Sequence, residues 1–309
     1  MIKPPALKLG AIIGIVSPSS WIDTTDLNTA KTIFENKGYN LVLGESVFLK
    51  DGTYAGKPEQ RANDINGMFA NKKIDAIICA RGGYGANRVL SLLDYDLIRK
   101  NPKIFIGYSD ITAFLTSITQ QTGLITFHGP MLSSFKNGNV EYNLTLMEKV
   151  TSGVNNIVIE PPSELPIRIL KSGKAEGQLW GGNMCLLINR LGTSDQLNTD
   201  GVILFLEDIG EYLYAFDRML FHMKEAKMFH NIKGLIVGEF KNMKDQDTPF
   251  GKSTDEIIMD VCDDLDIPIV SNFPCGHGIF QATLPISAPV QLNTESNSAP
   301  LKILESPVK

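Results

Sequence analysis

Apolar residues in this chain come as short unbroken runs separated by amphipathic stretches. AIIGIVS (residues 11–17) is one such run, closed by a Ser-Pro-Ser turn. From Asp23 a polar cap leads into LNTAKTIFENKG, where Leu27, Ala30, Ile33 and Phe34 share a helical face and Gly38 ends it. NLVLG (40–44) predicts a short strand, and Pro58 opens a helix with Ala62, Ile65 and Phe69 on one face. IDAIICA (74–80) is continuously apolar, as strands buried on both faces of a parallel sheet are. Then come the turn RGGYG, a helix over NRVLSLL, strand KIFIG, a helix over DITAFLTSITQQ and strand LITF (124–127). This alternation predicts an α/β fold with a doubly wound parallel sheet. Ligands of such sheets bind at the carboxyl ends of the strands, where RGGYG (81–85) and GYSD (107–110) both fall.

The rhythm breaks in TSGVNNIVIEPPSELPIRILKSGKAEG, which holds three prolines and two short β-like runs. The break predicts a first domain over 1–160, a linker over 161–172 and a second domain over 173–309. In that second part GVILFLED (201–208), IKGLIVGEF (232–240), PIVSNF (268–273) and PISAPVQLNTE (285–295) read as strands. EYLYAFDRMLFHMKEA reads as an amphipathic helix, and STDEIIMDVCDDL as one capped by Ser253 or Thr254.

Length and composition narrow the function. A chain of 309 residues is long for one core, which agrees with two domains. A net charge of −5 without a run of Lys or Arg argues against a nucleic-acid partner. The first apolar run is broken by Gly and Pro, too short to cross a membrane and without a cleavage site, so the expected location is the cytoplasm. Cys79, Cys185, Cys262 and Cys275 are scattered with no CxxC pair, and Cys79 and Cys262 lie in apolar runs. Neither disulfides nor structural zinc is expected. His222 and His230 lack HExxH spacing, so no metal or other cofactor is predicted.

Four places carry candidate chemistry. Ser109 stands where a buried strand ends and a helix begins, among free backbone N–H groups at the positive end of a helix dipole. That position suits an activated hydroxyl and a plain N-cap alike, and the segment lacks the second glycine of G-x-S-x-G. RGGYG can cradle a phosphate, donate an N–H to an oxyanion, or simply turn the chain. Glu207 and Asp208 end an apolar strand, either at the mouth of a sheet or as acids at a helix start. His277 sits between two glycines in PCGHGIF, with His128 in TFHGPM as a rival base. Serine, glutamate and histidine thus follow one another at predicted strand ends.

The segments AGKPEQRANDINGMF, ARGGYGANRVLSLLDYDLIRKNPKIFIGYSDITAF, TFHGPM, GKAEGQLWGGNMCLL, LEDIGE and FPCGHG are similar to the LD-carboxypeptidases (muramoyltetrapeptide carboxypeptidases). They span most of the chain in the family's order. The resemblance implies a Rossmann-like N-terminal domain and a smaller β-rich C-terminal domain. It implies Ser109 as nucleophile, Glu207 and His277 as the other triad members, and the backbone N–H groups of Asp110 and Gly83 as the oxyanion hole. The substrate it implies is a small murein tetrapeptide losing terminal D-alanine during peptidoglycan recycling, with Arg81 offered for the terminal carboxylate. Homodimers are common in the family, though no apolar patch argues for one here. A related reading is a microcin-immunity peptidase acting on peptidyl or aminoacyl nucleotides. A non-enzymatic reading is a module that binds small anions at RGGYG. Two departures are visible: the first strand begins L-G-A instead of G-D, and Trp180 precedes G-G-N, where it either lines a cleft or packs. The residues alone assign no role to Asn183.

Overall fold

The computed structural model describes residues 1–295 and 299–309. Five strands form in the first half: β1 (Ile12–Val16), β2 (Asn40–Leu43), β3 (Ala76–Cys79), β4 (Ile104–Gly107) and β5 (Phe127–His128). Nine follow: β6 (Ile157–Ile159), β7 (Arg168–Lys171), β8 (Lys174–Asn183), β9 (Val202–Ile209), β10 (Gly234–Lys241), β11 (Ile269–Gly276), β12 (Leu284–Pro285), β13 (Pro289–Asn293) and β14 (Leu301–Ile303). They build a six-stranded sheet, β12-β5-β4-β3-β1-β2, and an eight-stranded sheet, β6-β14-β13-β8-β9-β10-β11-β7.

The chain divides into two compact units. The first comprises Met1–Val154, Gln281–Ser287 and Ser306–Lys309; the second comprises Asn155–Phe280 and Ala288–Glu305.

In the first unit β1 to β5 run parallel, as their continuous apolar runs require, and only β12 is antiparallel. β3 and β4 are wholly buried. Helix Thr24–Asn36 starts where the Asp23 carboxylate accepts the Thr25 N–H at 2.8 Å, and buries Leu27, Ala30 and Phe34. Helix Pro58–Ala70 turns Ala62, Ile65 and Phe69 inward. Phe69 stacks on Phe105 at 5.9 Å, and Phe105 meets Phe114 at 6.5 Å, which ties two helices to β4.

The second unit has a parallel centre, β8-β9-β10-β11, flanked by antiparallel strands. Helices Leu213–Glu225 and Thr254–Cys262 pack Phe216, Leu220, Ile257 and Val261 into its core. Ser253 caps the latter in a reciprocal pair with Glu256.

Several elements differ from the sequence reading. NRVLSLL is not an α-helix but two 3-10 turns, Ala86–Arg88 and Leu90–Leu92. Asp94 is the stronger cap: its carboxylate accepts the Leu97 N–H at 2.9 Å and starts the helix later, at Tyr95–Lys100. Of LITF only Phe127 enters a strand, while Leu124 makes one bridge to Ile2. PISAPVQLNTE is split, because Ser287 takes φ 68° and sends the chain from the first sheet to the second. The expected linker over 161–172 contains β7, paired to β11, and the units divide after Val154. The expected second domain over 173–309 likewise yields Gln281–Ser287 and Ser306–Lys309 to the first unit. No helix among the described residues is long and apolar enough to cross a membrane.

The returning segment is pinned by Asn143, fully buried, whose Oδ1 accepts the Gln281 N–H at 2.7 Å. Asn143→Ala strands that buried N–H and is expected to cost about 1–3 kcal/mol. Urea unfolding checks it: the midpoint falls while the slope is unchanged.

Candidate active site

Ser109 comes one residue, Tyr108, after β4, and its backbone lies at φ 62°. A left-handed serine is uncommon and costs of order 1 kcal/mol, a strain that clusters at functional sites. It also removes the plain N-cap reading. The N-cap of helix Thr112–Thr122 is Ile111, no side chain caps it, and Ser109 opens a separate 3-10 turn, Ser109–Ile111. The helix behind is buried nearly all round, which fixes this turn on a rigid base. Ser109 itself is half-buried.

The RGGYG turn lies against it. A Cβ built on Gly82 would stand 3.2 Å from Ser109 Oγ and 3.4 Å from the Asp110 nitrogen, so a side chain here crowds the hydroxyl. The Gly82 carbonyl accepts the Ser20 N–H at 3.1 Å, and Tyr84 N–H donates to Ser20 Oγ at 3.2 Å. Asp110 is buried, and its carboxylate accepts from Ser19 Oγ at 2.5 Å and from Ala86 N–H at 2.8 Å. Burial pushes this carboxyl up, against those two hydrogen bonds and the Arg61 charge. Arg81 is exposed and donates to the Trp21 carbonyl at 3.3 Å. His128 is buried, beside Gly107 in the β4–β5 register and edge-on to Tyr108 at 6.0 Å.

Glu207 and His277 belong to the second unit, and the structure brings them together. Glu207 ends the apolar run of β9 with no solvent exposure. Its Oε2 lies 2.8 Å from His277 Nδ1. Gly276 makes this approach possible: its φ is 122°, and a Cβ there would lie 3.0 Å from Glu207 Oε2. Burial favours the neutral ring, but the Glu207 charge, its hydrogen bond and the Asp208 charge prevail and raise the His277 pKa.

Asp208 is pushed up to about 6 by burial and by Glu207, against N–H groups of Ile209, Asn183 and Cys185. Asn183 now has a role. Its Nδ2 donates to Asp208 at 3.0 Å while its Oδ1 caps the Leu186 N–H of helix Met184–Asn189. Trp180 packs against the core of the second unit.

Sequence reading passed over Glu239, buried on β10 in register with Gly276 and 2.6 Å from Lys241 Nζ. A Cβ on Gly278 would collide with its carboxylate, so Glu239 lies under the histidine loop. The signal was present: VGEF, like FLED, carries an acid near the end of an apolar run. Arg61 was likewise read only as a helix position. Among the described residues no cluster of three His, Cys, Asp or Glu is placed to hold a metal.

Comparison with known proteins adds to this geometry. The LD-carboxypeptidase N-terminal domain model matches residues 13–129, and the LD-carboxypeptidase C-terminal domain model residues 176–292. A probable murein peptide carboxypeptidase of Bacillus subtilis is 35% identical over 96% of this chain and 93% of its own. The microcin self-immunity protein MccF of Escherichia coli is 30% identical over 94% of this chain and 93% of its own. A solved MccF structure without ligand has a TM-score of 0.91 at 27% identity, covering 100% of both chains. A solved muramoyltetrapeptide carboxypeptidase of Oxalobacter formigenes has a TM-score of 0.85 at 28% identity, covering 96% of this chain and 100% of that one.

The ion pair makes a measurable statement. In an NMR titration His277 is expected to hold its proton to higher pH than an ordinary histidine, and Glu207→Gln to lower that point. The sign for stability follows. A raised folded-state pKa contributes stability that is full below the unfolded pKa and is lost as pH rises through the folded one.

Proposed function

The chain belongs to the LD-carboxypeptidase family, and on that premise we propose that it is a serine carboxypeptidase releasing terminal D-alanine from murein tetrapeptides. The observation that carries the reading is the 2.8 Å contact between His277 Nδ1 and Glu207 Oε2. With Nδ1 committed to a carboxylate, Nε2 is the ring nitrogen that acts on a hydroxyl. The strained backbone of Ser109 supports its assignment as that hydroxyl.

In the proposed reaction Nε2 takes the proton of Ser109 Oγ as the oxygen attacks the carbonyl before D-alanine. The backbone N–H groups of Asp110 and Gly83 receive the oxyanion, a role worth about 3 kcal/mol per donor in comparable sites. Collapse breaks the C–N bond, and His277 gives its proton to the departing amine. Water then attacks the acyl-enzyme, passes its proton to His277 and regenerates Ser109. Arg81 is assigned to the substrate's terminal carboxylate. This reading assigns the enzyme to the cytoplasm, in peptidoglycan recycling.

Likeness to MccF supports a second reading, a peptidase of aminoacyl or peptidyl nucleotides. Parallel incubations with murein tetrapeptide and an aminoacyl-sulfamoyl adenylate, read by mass spectrometry, separate the two. The tetrapeptide is expected to lose one D-alanine. Ser109→Ala is expected to lower kcat by about 10⁴ or more with the fold intact. Unchanged turnover in that variant overturns Ser109 as nucleophile, whereas no turnover in the wild type, with small-anion affinity equal in both proteins, leaves a binding module. Because a protonated His277 cannot act as base, kcat/KM should fall on the acid side at higher pH than an ordinary histidine dictates. Glu207→Gln should move that limb to lower pH while reducing the maximum.

A further inference from the structure

Arg61 is the largest fully buried side chain among the described residues. Its Nη1 donates to the carbonyls of Pro18 at 2.8 Å and Gly85 at 3.1 Å. The guanidinium lies 5.2 Å from the centre of the Tyr54 ring. Nε and Nη2 have no hydrogen-bond partner among the described residues. A buried cation with unpaired donors destabilises a fold, and an apolar side chain of similar volume carries no such penalty. Such an exception calls for an explanation.

Its surroundings supply one. Gly85 takes φ 119°, and a Cβ there would come within 2.9 Å of Nη1, so the turn rests directly on the guanidinium. The next residue, Ala86, donates its N–H to the Asp110 carboxylate at 2.8 Å. Ser19, following the Pro18 that Arg61 also holds, donates to the same carboxylate at 2.5 Å. Arg61 and the Asp110 side chain therefore hold the same two segments, the Ser17–Ser20 loop and the end of the glycine turn. Asp110 also supplies one oxyanion N–H from its own backbone, and the turn supplies the other.

We propose that Arg61 and the Asp110 carboxylate form a buried clamp that positions the two oxyanion donors, Arg61 also balancing the negative charge that Asp110 places beneath the hole. The assignment rests on the serine-hydrolase reading above. Arg61 touches no reacting atom and acts through the turn, as a positioning residue. Burial opposes both charged forms, and each partner's charge favours the other's. Placing a fixed anion near a developing oxyanion is costly unless a cation accompanies it.

The test compares Arg61→Met, Arg61→Lys, Asp110→Asn, Ser19→Ala and the double variant Arg61→Met/Asp110→Asn, assayed on the tetrapeptide well below each melting temperature. Arg61→Met is expected to lower kcat about 10- to 100-fold with KM within about threefold, since the donors serve the transition state. In the double variant the neutral amide should recover about threefold or more of that loss, a coupling that lost stability alone does not produce. Ser19→Ala, a small change in a packed site, should lower kcat severalfold and keeps the test open if Arg61→Met does not fold. Arg61→Lys, with charge but no fork, should fall between wild type and Arg61→Met. A kcat within twofold of wild type for Arg61→Met or, where that does not fold, for Ser19→Ala overturns the clamp. Additive costs in the double variant overturn its charge-balancing part. Ser109→Ala separates the two levels: if it stays active, the hydrolase reading fails and takes the clamp with it. If it is silent while the clamp variants turn over normally, the clamp alone fails.

Discussion

A carboxylate without solvent contact, set near the end of a strand after an unbroken run of Val, Ile, Leu and Phe, organises the second unit. Left alone, Glu207 would take up a proton or destabilise the sheet, because removing an isolated charge from water costs far more than one contact returns. His277 resolves this by meeting it at 2.8 Å, and the same contact fixes the tautomer and tilt of the ring. Neighbouring strand ends are shaped to allow it. Gly276 and Gly238 leave the carboxylate room, since a Cβ on either would lie 3.0 Å from the Glu207 Cβ. Asp208, next along the chain, has its pKa pushed up to about 6 by its burial and then by the neighbouring Glu207 charge.

The first unit meets a related problem with different means. There the strained element is backbone: Ser109 at φ 62°, one residue beyond a wholly buried strand. The turn holds because the helix behind it is packed on almost every face, and because Asp110 ties its side chain to Ser19 and Ala86. A residue held in a sparsely populated conformation persists only where its surroundings over-determine it. Here they do so through buried polar contacts, which are directional in a way that apolar packing is not.

Much of this was legible in the chain. Unbroken apolar runs of four or more residues gave the parallel strands, and Asp23, Pro58 and Ser253 marked helix starts where the structure has them. Asp94 was overlooked because RGGYG drew the helix expected after it too early. The strand Lys174–Asn183 escaped because it begins just past the expected linker and carries glycines of its own, whereas its alternation of half-buried and exposed positions is that of a strand with one wet face. The split of PISAPVQLNTE depends on a left-handed Ser287, a conformation that periodicity does not encode. In the proposed site, strand-end position brought Ser109, Glu207 and His277 forward only as candidates, and their assignment as a triad came from the family resemblance. Arg61 was hidden because an arginine on an amphipathic helix ordinarily faces water. Only the finished packing shows it facing in.

Within each unit the exceptions fall at strand ends. The left-handed serine, the buried acids and the unpaired guanidinium all belong to strands ending at the glycine turn, the GYSD turn and the GHG loop, or to side chains resting on them. Other elements follow local rules: Asp23 and Ser253 cap their helices, apolar stripes face inward, and exposed ion pairs such as Lys31–Glu35 sit at ordinary helical spacing. A sequence under selection for stability alone would replace Arg61 with an apolar residue and relax Ser109 toward a common conformation. That it keeps both supports the chemistry proposed for these strand ends.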